Sequence, residues 1–277
     1  MDAASCQWVA GRHPVNAAQS EEFMQVIQNI VYSPQAGDRG MGDLYLPQNA
    51  QGAKAVLLIH GGAWKSMRRV RFNGIAQFLV DCGYAVFNID YRLLPQAPYP
   101  ACEVDCMAGA QFLISAGHPQ MKQLALDKIA IAGGSAGGHL ALMVGMKLPM
   151  QKVAGIVNLC GPTDLTAPEV ADLMTFSGMF ADSDDRDEQL KNASPVYLPC
   201  EKLPPLLTLH CRQDSVVSFE QALRLQAVWN QVGGAYQGFY YLGQSQDGHN
   251  LWRQEGPSPR LIHMLELQID AFLKSYC

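Results

Sequence analysis

The stretch Ile129-Ala-Ile-Ala-Gly-Gly-Ser-Ala-Gly-Gly-His-Leu-Ala-Leu142 decides the fold of this chain. A short apolar run leads into a glycine-rich turn, and a helical pattern of apolar residues follows. Ser135 stands at the apex of that turn, where the backbone must adopt an unusual conformation. Glycine at 133 and 137 lets the helix pass close to the strand. This context predicts a nucleophilic serine in a G-x-S-x-G elbow, and a tight turn without a chemical role is the alternative.

Composition limits the classes of protein that the chain can belong to. Its 277 residues are 48% hydrophobic, which is ordinary for a globular protein with a large core. A net charge of −5 argues against nucleic acid or an anionic membrane as a partner. No apolar run approaches the roughly 18 residues of a membrane span. Residues 1–8 lack both the basic and the apolar region of a signal peptide. Because we interpret most cysteines as thiols, we expect a cytoplasmic location.

The cysteines and the motif inventory give no sign of a metal or a cofactor. Eight cysteines are scattered without a C-x-x-C pair, and Cys102 and Cys106 share one helix face, which suits packing. We interpret most of them as buried thiols, although the even number leaves disulfides open. The acidic run at 182–188 lacks the glycine and terminal glutamate of a calcium loop. No zinc signature, phosphate loop or dinucleotide fingerprint is present.

Strand and helix patterns alternate from residue 55 to the end of the chain. Such alternation predicts a mostly parallel eight-stranded sheet with helices on both faces. We expect residues 1–20 to form an N-terminal arm and 21–277 a single catalytic domain, in which 161–204 is a lid-like insertion. The first two strands should form an antiparallel edge. The predicted strands are 23–32, 43–47, 55–59, 84–90, 128–132, 153–157, 206–210 and 236–242, and the predicted helices are 70–82, 101–115, 136–147, 218–232 and 258–276.

A serine nucleophile needs a base within hydrogen-bond reach. In sheets of this kind, reactive groups collect at the carboxyl ends of the strands. His249 lies in a loop just after the last predicted strand. His263 also follows Ser135, but it falls inside a helical pattern and is more typical of a surface or packing residue. We therefore predict His249 as the base.

The base in turn needs a carboxylate that orients its ring. Asp214 follows the strand at 206–210 and stands 35 residues before His249. Asp164 follows the preceding strand and is the second candidate, whereas Asp247 is too close in sequence to His249 to orient the ring easily. We predict Asp214 as the acid.

The segment His60-Gly-Gly-Ala-Trp64 follows the buried strand at 55–59. Its two glycines let the chain bend so that backbone N–H groups can point at the negative oxygen of a tetrahedral intermediate. We predict such donors at Gly62, Ala63 and Ala136, with His60 bracing the loop. A glycine turn without a function is the alternative.

The substrate pocket is less well specified. We expect Trp64, Phe176 and Phe180 to form part of its wall, although a core position suits Trp64 nearly as well. His139 lies four residues after Ser135 on the same helix, which favours a packing role.

Together these segments resemble the α/β-hydrolase superfamily, and within it the small bacterial esterases related to hormone-sensitive lipase and to feruloyl and acetyl-xylan esterases. The resemblance implies an α/β-hydrolase fold and cleavage of short-chain or aromatic acyl esters through an acyl-enzyme, without a cofactor. The chain departs from the pattern in two ways, since a full cap domain has no room before the loop at residue 60 and Cys211 replaces a common glycine. The matching segments are His60-Gly-Gly-Ala-Trp64, Asp90-Tyr-Arg-Leu-Leu-Pro95, Gly133-Gly-Ser-Ala-Gly-Gly-His139, Gly161-Pro-Thr-Asp164, Ala193-Ser-Pro-Val196, Asp214-Ser-Val-Val217 and Gly248-His249.

Three alternatives stay open at this point. An arylformamidase would share the His-Gly-Gly-x-Trp pattern and cleave N-formylkynurenine. A peptidase of the prolyl-oligopeptidase type usually carries a large gating domain, which 277 residues do not accommodate. A non-catalytic ligand-binding protein of the same fold would be expected to have lost part of the triad. We expect a small-molecule ester as the partner, and a monomer or homodimer.

Overall fold

A computed structural model describes residues 24–180, 185–242, 248–249, 252–253 and 259–277. Its centre is an eight-stranded sheet in the order β1-β2-β4-β3-β5-β6-β7-β8. Within the described ranges, every helix is too short or too polar to span a lipid bilayer. The predicted arm at 1–20 lies outside the described residues. The strands are β1 (Gln25–Val31), β2 (Met41–Leu46), β3 (Lys54–Ile59), β4 (Ala85–Ile89), β5 (Ala125–Gly134), β6 (Val153–Leu159), β7 (Leu206–Cys211) and β8 (Tyr236–Tyr241), with a small pair β9 (Trp252–Arg253) and β10 (Arg260–Leu261).

Seven α-helices connect and cover these strands in the described ranges. Each of the five predicted helices has a counterpart. Two further helices lie between β6 and β7, within the segment 161–204 that we expected to be a lid-like insertion. The helices are α1 (Asn73–Asp81), α2 (Ala101–Ile114), α3 (Ala136–Lys147), α4 (Ala171–Ser177), α5 (Arg186–Asn192), α6 (Glu220–Gln231) and α7 (His263–Tyr276).

The strand directions confirm the predicted mostly parallel sheet. The edge strand β1 pairs antiparallel with β2, and β2 pairs antiparallel with β4. The pairs β4–β3, β3–β5, β5–β6, β6–β7 and β7–β8 are all parallel. The carboxyl ends of β3, β5, β6 and β7 therefore open at the same edge.

Side chains of the central strands alternate between two hydrophobic cores, one on each face of the sheet. On β5, Ile129 and Ile131 belong to one core, and Ala130 and Ala132 to the other. This is the period of two that an extended chain imposes. Helices α2, α3 and α6 contribute buried residues to the first core, and α1 and α7 to the second. Helices on both faces are thus confirmed.

Two local features differ from what the sequence pattern indicates. The pattern Ser218-x-x-Gln221 is typical of a capping box, but the side chain of Gln221 does not bond to the start of the helix. Its side-chain oxygen accepts hydrogen bonds from the backbone N–H groups of Thr163 and Asp164 at 2.8 and 2.7 Å. The last helix begins at residue 263 rather than 258, because residues 260–261 pair with β9.

The described cysteines are all free thiols, whereas the sequence left disulfides open. Four are buried, three are partly exposed, and Cys6 lies outside the described residues. Burial raises the pKa of Cys102 to about 12 and that of Cys106 well above its ordinary value. These two thiols therefore act as small apolar packing groups.

Candidate active site

Ser135 lies between the end of β5 and the start of α3, with φ 54° and ψ −125°. Such angles are strained for a residue with a side chain, and they hold the hydroxyl at the tip of the turn. The turn is tight because a Cβ atom on Gly133 would lie 2.1 Å from the oxygen of Gly137, and one on Gly137 would lie 2.2 Å from the oxygen of Ile59. Only glycine fits at either position, as the sequence predicts.

The structure brings Ser135, His249 and Asp214 together in one chain of hydrogen bonds. Nε2 of His249 lies 3.1 Å from Oγ of Ser135, and its Nδ1 lies 2.7 Å from Oδ2 of Asp214. Since a carboxylate only accepts, Nδ1 carries the proton that it donates to Asp214. Nε2 is then free to accept the proton of the serine hydroxyl.

Backbone groups hold the carboxylate of Asp214 in place. Its Oδ1 accepts hydrogen bonds from the N–H groups of Val216 and Val217 at 2.9 and 2.8 Å. This leaves Oδ2 directed at the imidazole of His249. The side chain of Asp214 has no exposed surface. A buried, fixed acceptor of this kind selects one tautomer and one orientation of the ring.

The other candidates lie away from this chain. Asp164 accepts from the hydroxyl of Thr166 at 2.6 Å, and its other oxygen lies 3.5 Å from a guanidinium nitrogen of Arg224. The side chain of His263 is 70% exposed at the start of α7. Asp247 falls outside the described residues.

The loop after β3 presents backbone donors beside Ser135. Gly62 and Ala63 have φ values of 114° and 49°, which lie outside the range of strands and right-handed helices. Ala136 is the first residue of α3, so its N–H has no acceptor within the helix. In the described part of the chain, no acceptor contacts the N–H groups of these three residues. They are available to a negatively charged oxygen in the cleft.

Buried polar contacts of His60 hold the loop after β3 in place. The ring of His60 stacks on Tyr91 with 4.3 Å between ring centres, and the Tyr91 hydroxyl donates to the oxygen of His60 at 2.9 Å. Burial lowers the pKa of His60 to about 4, so the ring is neutral at pH 7. Asp90 lies 3.6 Å from the same ring and pairs with Arg69 at 2.5 Å. His60 therefore braces the loop and does not reach the cleft.

Trp64 belongs to the core, and its prediction as a pocket wall is wrong. Its side chain has no exposed surface, and its Nε1 donates to Nδ1 of His139 at 3.2 Å. Because Nδ1 of His139 is the acceptor, Nε2 carries the proton and donates to the oxygen of Ala193 at 2.6 Å. This chain of contacts ties the loop, the helix after Ser135 and the segment before β7 to one another. His139 is a packing residue, as expected.

A cleft of about 290 Å³ opens over Ser135. Phe176 and Leu173 on α4 form one wall, so the segment between β6 and β7 does reach the site. Phe180 does not line this cleft, and its prediction as a wall residue is wrong: it contacts Tyr99 edge-to-face in a separate groove. The lining residues are Gly61, Gly62, Ala63, Ser66, Met67, Phe72, Gly134, Ser135, Cys160, Leu173, Phe176, Val216 and His249.

Sequence reasoning missed Cys160, which lies at the end of β6 and lines the cleft. The available signal was its place after a buried strand, at the edge where the other functional groups collect. Burial of the His249 ring lowers its pKa, but the electrostatic interaction with Cys160 and the hydrogen bond to Asp214 outweigh burial. The pKa of His249 is therefore raised above its ordinary value.

A hydroxyl, a base, a carboxylate and free N–H groups around one cleft are the parts that acyl transfer needs. Residues 42–228 match the BD-FAE family model, which is more than half of the chain. The chain belongs to the BD-FAE family. This BD-FAE chain is 29% identical to Esterase LipC of Mycobacterium tuberculosis over 71% of its own length, and 27% identical to Esterase LipQ of the same organism over 82%. It spans 55% and 56% of those two relatives, about half of each.

Solved structures support the fold of this BD-FAE chain. A truncated carbohydrate esterase from gut microbiota superposes with a TM-score of 0.75 at 20% identity, covering 91% of this chain and 96% of the other. An inhibited Esterase B from Lactobacillus rhamnosis superposes with a TM-score of 0.73 at 20% identity, covering 94% and 92%. Identities this low establish the α/β-hydrolase fold and no more. The fold that the sequence predicted is confirmed.

Proposed function

We propose that the chain is a serine carboxylesterase that hydrolyses short-chain or aromatic acyl esters, including acetylated or feruloylated carbohydrate. The observation that carries the proposal is the hydrogen-bond chain from Ser135 through His249 to Asp214 at the floor of an apolar cleft. The names of the relatives LipC and LipQ, both called esterases, point the same way.

The geometry supports a two-step mechanism. As Oγ of Ser135 bonds to the acyl carbon, its proton passes to Nε2 of His249. The former carbonyl oxygen becomes negative and accepts hydrogen bonds from the N–H groups of Gly62, Ala63 and Ala136. The alcohol then leaves with the proton from His249, and the acyl group stays on Ser135. Water, deprotonated by the same imidazole, attacks the acyl carbon and releases the acid and the free serine.

The cleft favours a short acyl group. Each buried methylene contributes roughly 0.8 kcal/mol, so a few of them would improve binding. At about 290 Å³, the cleft formed by the described residues lies at the small end of ligand sites, which favours a short acyl group over a long one. We expect kcat/KM to peak between acetate and butyrate and to fall at least about tenfold at octanoate.

A substrate panel tests this proposal. The p-nitrophenyl esters from acetate to laurate are compared with acetylated xylan, methyl ferulate and N-formylkynurenine. The proposal predicts hydrolysis of the short esters and of at least one carbohydrate or aromatic ester. A maximum at laurate would contradict the assigned pocket, and cleavage of N-formylkynurenine in preference to every ester would identify an arylformamidase.

A further inference from the structure

Cys160 holds a position in the cleft that the proposed mechanism does not use. Cys160 is only 1% exposed, yet it lines the same cavity as Ser135 and His249. Its φ of 45° places a residue with a side chain in the left-handed region, which costs free energy. The surrounding structure therefore fixes the backbone that carries this thiol, and the backbone N–H of Cys160 donates to the oxygen of Leu209 at 2.9 Å.

The thiol forms a cluster with two members of the hydrogen-bond chain. One ligand atom each from Cys160, His249 and Asp214 lies within 4.8 Å of the other two. Cys160 and Asp214 are buried and His249 is half-buried, so the cluster lies in the wall of the cleft. Thiolate, imidazole and carboxylate are the three side-chain ligands that Zn²⁺ takes in proteins.

The 4.8 Å limit on these separations is wider than the ligand spacing in a tetrahedral zinc centre. Bonds of about 2.0–2.3 Å place the ligand atoms of such a centre about 3.5 Å apart. Side-chain rotations of Cys160 and His249 would close the remaining gap. Three protein ligands would leave the fourth position of the metal directed at the cleft, where water or an anion can bind.

We propose that Cys160, His249 and Asp214 form a zinc-binding site inside the catalytic cleft, and that Zn²⁺ bound there blocks hydrolysis. A nitrogen of His249 that binds the metal no longer serves catalysis. If Nε2 binds, Ser135 loses its proton acceptor, and if Nδ1 binds, the ring loses Asp214. Mg²⁺, which takes oxygen ligands and strict octahedral geometry, should not bind at this cluster.

Equilibrium binding of Zn²⁺ tests the site without relying on hydrolysis, in a buffer free of chelators and thiols. The wild-type chain and the Ser135→Ala variant should each bind one equivalent. Cys160→Ser should weaken binding at least about tenfold, since even an outer partner of a metal ligand contributes that much. Cys200→Ser removes a partly exposed thiol outside the cleft and should bind like wild type. Equal affinity in wild type and Cys160→Ser would overturn the site.

A second readout covers the case in which Cys160→Ser fails to fold. Co²⁺ added to the wild-type chain should produce the near-ultraviolet charge-transfer band of a thiolate ligand, and stoichiometric Zn²⁺ should remove it. The absence of that band would overturn the participation of Cys160.

The inhibition arm rests on the proposed esterase function. Zn²⁺ should suppress p-nitrophenyl acetate hydrolysis in wild type and in Cys200→Ser, and Mg²⁺ should not. The inhibition constant should rise at least about tenfold in Cys160→Ser, parallel to the loss of binding. Binding without inhibition would overturn the blocking role alone. A chain that hydrolyses no ester would refute the proposed function, while the binding data would still decide the site.

Discussion

Lys65 connects Phe176 to the loop that follows β3 by a hydrogen bond and a cation–π contact. Its Nζ donates to the main-chain oxygen of Phe176 at 2.5 Å and lies 4.0 Å from the centre of the Phe176 ring. Phe176 is 62% exposed, so few packing contacts hold it on the cleft side. Because Lys65 follows Ala63 by two residues, this contact couples the wall of the cleft to the proposed oxyanion donors.

Replacing Lys65 with methionine should relax the selection for short acyl chains. An exposed cation–π pair contributes about 0.5–1 kcal/mol, which corresponds to roughly two- to fivefold in a rate ratio. We expect the ratio of kcat/KM for octanoate over butyrate to rise by that factor, while kcat for acetate stays within about twofold. The exposed Lys122, before β5 at the opposite end of the sheet, supplies the control Lys122→Met. An unchanged ratio in Lys65→Met would show that the contact between Lys65 and Phe176 does not determine the preference for short acyl chains.

The acid can be identified by exchanging each carboxylate for an amide. Asp214→Asn should lower kcat by about 10³- to 10⁴-fold, because the amide fixes the wrong tautomer of His249. Asp164→Asn should stay within about tenfold, since Asp164 contacts Thr166 and Arg224 rather than the imidazole. Single-turnover kinetics on p-nitrophenyl acetate measure both. If Asp164→Asn were the crippling change, the acid would have to be reassigned to the loop after β6.

The pH profile should depend on Cys160. The mechanism needs neutral His249, so kcat/KM should rise with pH through the pKa of that ring and then level off. Since the electrostatic interaction and the hydrogen bond with Cys160 help to raise this pKa, Cys160→Ser should move the rise to lower pH. Cys200→Ser should keep the wild-type profile. Coinciding profiles for Cys160→Ser and wild type would exclude an electrostatic effect of this thiol.

Acid should destabilise the fold through its buried histidines. The pKa of His139 is lowered to about 4 by burial, so below pH 6.5 the unfolded chain binds a proton that the folded chain does not. Stability is therefore lost as the pH falls from 6.5 toward 4, by about 2 kcal/mol at pH 5 for this ring. Urea unfolding should show a smaller loss between pH 7 and pH 5 in His139→Gln than in wild type. His263→Gln, at an exposed ring, should lose as much as wild type, and equal losses in all three proteins would contradict this assignment.

The sequence was enough to predict the sheet, because buried parallel strands leave continuous apolar runs that end in glycine-rich turns. Helix α3 begins at residue 136 and ends at 147, as its pattern indicates. The alternating topology also predicted which residues lie at the edge where the carboxyl ends of the strands open. Ser135, His249 and Asp214 each come after a strand, and the structure brings them together.

The pocket was harder to predict because its walls come from side chains whose direction no periodicity fixes. Trp64 points into the core to meet His139, and Phe180 packs on Tyr99. Phe176 reaches the cleft because a short helix, unrecognised in an irregular pattern, turns it there. Cys160 was missed because a single cysteine after a strand looks like any other buried thiol.

The most direct test of the central claim is covalent labelling by a fluorophosphonate, which reacts with activated serines. The account predicts one phosphonyl group per chain, located by peptide mass spectrometry on Ser135, with loss of ester hydrolysis in proportion to labelling. Ser135→Ala should take up no label while keeping the wild-type unfolding transition. A wild-type chain that stays unlabelled, or a Ser135→Ala variant that is labelled as fully as wild type, would contradict the assignment of Ser135 as the nucleophile.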